Sequence, residues 1–275
     1  MQKSLDPAHF VRILAPALRE AAAIARSLEG RVANRPKAGE ATPVKAALTV
    51  ADTAAQEALL GPLLAHFPGV TLEAEEDTPT ARAFSGEGVG QVVLDPIDGT
   101  LRFYLEALGP YAVMIGLALE GRYEAALVGL PREEIFFDAV RGAGSRIVAG
   151  ETSPPAPARV SADGRRVLVS HDLPAAAVER LLAAGFEVRP ASGGAISVAP
   201  LLTGVRAGLR YVRSGNVSVR GRVGALVASE AGALVRTAEG TPFPENIRQP
   251  ERALLVACHE QDLQVLVEAV REVER

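Results

Sequence analysis

The chain has 275 residues, enough for one sizeable core, and its 48% hydrophobic and 23% charged composition is that of a globular protein rather than a disordered one. Its formal net charge of -4 gives no attraction to nucleic acid or to an anionic membrane, and no apolar run approaches the roughly 18 residues of a membrane span. The start MQKSLDPAHF lacks the order of a secretory signal, so a cytoplasmic protein is expected.

The first element is an amphipathic helix over 5–28, where Asp6-Pro7 supplies a cap and a first-turn proline. A loop over 31–47, broken by Pro36, Gly39 and Pro43, leads to a second helix from about Asp52 to His66. The period then changes to that of strands, predicted at 70–75, 91–94, 111–119, 123–130 and 134–140, with turns at Gly121-Arg122 and Pro131-Arg132-Glu133. Prolines between 150 and 158 mark a connection between an N-terminal half, 1–150, and a C-terminal half, 151–275, of one compact unit.

In the second half, strands are predicted at 166–170, 186–189, 234–237 and 253–257, and helices at 175–184, 195–203, 222–231 and 262–273. The alternation argues for an α/β protein with helix layers on sheets. Cys258, the only cysteine, excludes an internal disulfide and reads as a small buried filler. The chain has three lysines, Lys3, Lys37 and Lys45, and its remaining 26 basic residues are arginines.

The chemistry concentrates in Val92-Val93-Leu94-Asp95-Pro96-Ile97-Asp98-Gly99-Thr100. An apolar strand delivers Asp95 to its end, Pro96 is expected to stop the ladder, and Asp98-Gly99-Thr100 to open a helix. Asp95, Asp98 and the Ile97 carbonyl are oxygen donors of the kind magnesium prefers, and the Gly99 and Thr100 amides could donate to a phosphate. Taken alone, each of these residues also has a plain reading: a turn for Asp95 and Asp98, a helix cap for Asp52, a solvated pair for Glu75-Glu76.

The string Asp-Pro-Ile-Asp-Gly-Thr resembles the signature of the inositol monophosphatase superfamily. Ala74-Glu75-Glu76 and Leu48-Thr49-Val50-Ala51-Asp52 upstream fall in that family's order, as do Gly109-Pro110-Tyr111, Val128-Gly129-Leu130-Pro131, Gly142-Ala143-Gly144 and Glu230-Ala231-Gly232 downstream. The resemblance implies a layered αβαβα sandwich and magnesium-dependent hydrolysis of a small phosphorylated metabolite by a homodimer. It implies that Glu75, Asp95, Ile97 and Asp98 hold one to three Mg2+ ions, that Glu75 and Thr100 orient the attacking water, and that Asp52 acts beside them. Gly99, Thr100 and Arg220 would contact substrate.

Two departures stand out. Arg102 replaces an asparagine of the signature, and Val219-Arg220 stands where the family has a Trp-Asp pair whose aspartate holds a metal. No Asp or Glu occurs from Val188 to Ser229, a stretch that holds Arg189, Arg206, Arg210, Arg213, Arg220 and Arg222. Arg220 therefore has three readings: a charge-neutralising residue of an enzyme with fewer metals, part of a non-catalytic pocket for a phosphorylated ligand or protein partner, or a solvent-facing side chain.

Overall fold

The structure, a computed structural model, describes residues 5–35, 37–38, 48–84, 88, 90–150, 153–161 and 163–274. Helix α1 spans Pro7–Leu28, and the Asp6 carboxylate accepts a bond from the Ala8 amide as a cap should. Helix α2, Val50–His66, starts ahead of the expected Asp52, because Thr49 is its cap and Thr49 and Asp52 close a reciprocal capping box. Most of the expected loop over 31–47 lies outside the described residues.

Seven strands form the first sheet in chain order: β1 Thr71–Glu73, β2 Gln91–Asp98, β3 Ala112–Leu119, β4 Arg122–Leu130, β5 Ile135–Val140, β6 Gly144–Ala149 and β7 Ala156–Pro157. Only β1 and β2 run parallel; the rest is a meander. The β3–β4 turn is Glu120-Gly121, both at positive φ (50° and 78°), one residue earlier than predicted. β6 and β7 were not anticipated, since glycines at 142 and 144 and prolines at 154, 155 and 157 mask any alternation.

The second sheet has the order β11-β12-β10-β8-β9, built from β8 Arg166–Val169, β9 Glu187–Pro190, β10 Val205–Tyr211, β11 Leu234–Arg236 and β12 Ala253–Ala257. Its helices are α3 Ala175–Ala183, α4 Gly193–Ser197, α5 Val223–Glu230 and α6 Glu260–Glu274. The helix predicted over 195–203 is the short α4 followed by a 3-10 turn at Ala199–Leu201, because Pro200 has no amide to continue it. β10 was missed although its signal is present: Val205, Ala207, Leu209 and Tyr211 alternate inward.

The layers follow from that same period of two. Val92, Leu94, Val113, Ile115 and Leu127 pack on α1 and α2, whereas Val93, Met114, Ala126 and Val128 face α4 and α5. Leu254 and Val256 close this middle layer from the second sheet, and Leu255, Val167 and Leu209 turn the other way onto α3 and α6. The chain is thus the αβαβα sandwich that the resemblance implies. Among the described residues no helix is long and apolar enough to cross a membrane.

Candidate active site

β2 carries the signature string, but Pro96 does not end it. Pairing with β3 slips between Asp95 and Asp98, so Pro96-Ile97 form a bulge in which a missing amide costs the ladder little, and the strand continues to Asp98. Gly99 follows at φ 88°, where an added Cβ would lie 2.5 Å from the Phe103 ring. The expected helix is a six-residue π-helical turn, Thr100–Leu105, too short to offer a phosphate the field of a helix end.

Three elements bring the acids together. From α2, Asp52 is fully buried and accepts from the Thr49 amide and hydroxyl, each at 2.7 Å, through one oxygen; its other oxygen lies 2.9 Å from the Thr100 hydroxyl. That hydroxyl is also 3.0 Å from the Ile97 carbonyl. Glu75 and Glu76 leave β1 in a backbone clamped by buried Gln56, whose amide donates to the Glu76 carbonyl (2.7 Å) and accepts from its N–H (2.9 Å). Asp98 at the end of β2 accepts from the Gly194 amide at 2.5 Å.

Two cations enter the group. Lys37 Nζ is 2.6 Å from Glu76 and 3.7 Å from Glu75. Arg220 Nε lies 3.6 Å from Asp95 Oδ2 and 3.9 Å from Glu75 Oε2, which excludes the solvent-facing reading of this residue. The other oxygen of Asp95, Oδ1, is buried without a hydrogen-bond partner among the described residues. Burial, with Glu75 and Asp98 nearby, holds the Asp95 carboxyl well above the usual carboxylate range, and burial raises Asp52 despite its bonds from Thr49 and Thr100. Burial likewise raises Glu76 against the pull of Lys37.

A buried acid oxygen without a compensating hydrogen bond calls for a proton or a cation. Glu75, Asp95 and the Ile97 carbonyl are oxygen donors of the kind a divalent ion takes, with water completing its shell. Among the described residues no three His, Cys, Asp or Glu side chains are grouped closely enough to hold a metal by themselves.

Sequence reasoning missed the residues that hold this group in place. Tyr123 of β4 donates to the Val219 carbonyl at 2.9 Å, the Ser218 hydroxyl accepts from the Gly221 amide at 3.1 Å, and buried Arg222 bonds to the carbonyls of Val217, Asn246 and Gln249. The bonds from Tyr123 to Val219 and from Arg222 to Asn246 and Gln249 carry no local signal, because they join segments distant in sequence. Glu230, noted for its motif, is structural: its carboxylate accepts from the Gly142 and Gly144 amides at 2.9 Å each, joining two of the motif pieces. A groove beside α1, lined by Arg19, Ala23, Arg26, Glu134 and Phe136, shares no residue with the acid group.

The pattern of the inositol monophosphatase family matches residues 6–275. Nus factor SuhB of Salmonella typhimurium is 34% identical over 105 residues, 36% of this chain and 36% of that protein, so the match spans little more than a third of this curated relative. Among solved structures, the Thermotoga maritima IMPase superposes with a TM-score of 0.72 at 20% identity, covering 94% of this chain and 96% of that one. An IMPase/NADP phosphatase complexed with Mg2+ and phosphate gives 0.68 at 19%, covering 94% and 95%. At these identities the structures speak for the fold; the family pattern, running through both halves of the chain, shows that the protein belongs to the inositol monophosphatase family.

Proposed function

We propose that the chain hydrolyses a small phosphomonoester with the help of a divalent cation, Mg2+ by analogy with the relative solved with Mg2+ and phosphate. The observation that carries this reading is the buried chain Asp52–Thr100–Ile97 carbonyl beside Glu75 and the unpartnered Asp95 oxygen. When bound by Glu75, Asp95 and the Ile97 carbonyl, with Asp98 adjoining, the ion would supply charge that stabilises the phosphoryl oxygens and acidifies a water. Every other task falls to side chains.

The Thr100 hydroxyl, its proton held by Asp52 or the Ile97 carbonyl, directs a lone pair at the attacking water, and Glu75 accepts the proton that water loses. A P–O bond forms to the water oxygen, the bond to the ester oxygen breaks, and the leaving alkoxide takes a proton from solvent. In this reading the Gly99 and Thr100 backbone amides donate to the phosphate. Association into a homodimer and residence in the cytoplasm belong to the same reading, and light scattering on the purified chain tests the first.

The experiment is phosphate release from an inositol monophosphate, a sugar bisphosphate and a nucleoside bisphosphate, with Mg2+ and with a chelator. Release with Mg2+ that the chelator abolishes is the expected result, and absence of turnover on all three overturns the reading. A second reading, a non-catalytic pocket for a phosphorylated ligand or a protein partner, is favoured by Arg220 lying against the two acids. It predicts ligand-induced thermal stabilisation without turnover.

A further inference from the structure

We propose that the Arg220 guanidinium is itself the resident cation at one of the positions of this acid cluster, so that the chain takes up one divalent cation fewer than its Arg220→Asp variant. The inference rests on the reading of the cluster as a cation site and adds to it what fills the second position. Asp95 has two oxygens with two different surroundings: Oδ2 faces Arg220 Nε at 3.6 Å, while Oδ1 is buried with no hydrogen-bond partner among the described residues. One oxygen is already served by a fixed positive charge, and the other is left for an exchangeable one.

The placement of Arg220 is enforced. Its backbone is held on both sides by the Tyr123 hydroxyl on the Val219 carbonyl, by Ser218 on the Gly221 amide, and by buried Arg222 on three carbonyls. Its Nε stands at nearly equal distances from two carboxylates on separate elements, 3.6 Å from Asp95 and 3.9 Å from Glu75. Both exceed a direct hydrogen bond, which is the geometry of a charge shared between two acids rather than of a tight pair with one.

Nothing else in its own segment neutralises it, because no acid occurs from Val188 to Ser229. A divalent ion bonded to Asp95 Oδ2 at about 2.1 Å would have to share that oxygen with the guanidinium, and like charges in a partly desolvated site repel strongly. The guanidinium and a second ion are mutually exclusive there.

The test is Mn2+ titration of the intact protein, with free Mn2+ read by electron paramagnetic resonance, for wild type and Arg220→Asp whose fold is checked by circular dichroism. The expected result is one equivalent per chain for wild type and two for Arg220→Asp. Equal numbers for the two proteins overturn the proposal. If wild type binds none and Arg220→Asp binds one, the proposal stands while the cation-dependent reading of the wild-type enzyme falls. Should Arg220→Asp fail to fold, Arg220→Gln removes the charge alone: Mn2+ affinity at the remaining position rises at least tenfold, and an unchanged or weaker affinity overturns the proposal. A merely structural role for Arg220 would move the melting temperature without changing the ion count.

Discussion

Replacing Gln56 by methionine tests whether the acid pair after β1 is positioned from α2. Gln56 is fully buried and forms two hydrogen bonds with the Glu76 backbone, at 2.7 and 2.9 Å, and Glu76 is itself only 6% exposed. Methionine keeps the length of the side chain but strands a buried N–H and a buried carbonyl. Each stranded group costs about 1–3 kcal/mol, so urea unfolding should report a loss of about 3 kcal/mol. Glu75 shares this backbone turn, and a shift of about 1 Å in a catalytic group can cost about 100-fold in rate. The variant should therefore lose both stability and phosphate release at saturating substrate. A loss under about 1 kcal/mol with full turnover would refute the view that this clamp positions Glu75.

Further expectations follow from other contacts. Thr100→Val keeps the shape of a buried side chain but removes the hydroxyl between Asp52 and Ile97, so phosphate release should fall about 100-fold while the protein stays folded; turnover near wild type would count against the water-orienting role. Arg210 buries Nη1 between Gly193 and Gly221 without a hydrogen-bond partner among the described residues, and Arg210→Met should raise stability by about 1 kcal/mol in urea, a fall being the contrary result. Glu230→Ala frees the Gly142 and Gly144 amides and should cost about 1–2 kcal/mol without altering KM. Burial pushes the Cys258 thiol up from 9.0 to about 11, so the folded protein keeps a proton that the unfolded chain loses. Stability should fall as pH rises from about 9 towards 11, and Cys258→Ala should flatten that slope.

Much of the first sheet was legible because β2, β3 and β4 carry near-continuous apolar runs of strand length, buried on both faces, and its hairpins are punctuated by glycine and proline. Asp6 announced α1, while Thr49 was passed over as the cap of α2 because Asp52, three residues later, is also a capping residue type. Pro96 misled because a proline in a strand reads as a stop, whereas β2 absorbs it in a bulge set by its pairing with β3. β10 was hidden by Arg206 and Arg210, which lie on the outward positions of an otherwise regular alternation. In the site, the acids were visible as a motif string, but Arg220 could be read as solvent-facing until the fold brought it to Asp95 and Glu75. Gln56, Tyr123 and Arg222 act through contacts that only the folded chain creates.

Both sheets end in strands too short to recruit another. The first is bounded by β1, three residues, and β7, two residues ending in Pro157; the second by β11, three residues, and β9, four residues ending in Pro190. A proline donates no hydrogen bond, and a rim of two to four residues offers an incoming chain little to zip onto. Association of two copies is therefore expected through side chains on helix or loop surfaces rather than through these end strands.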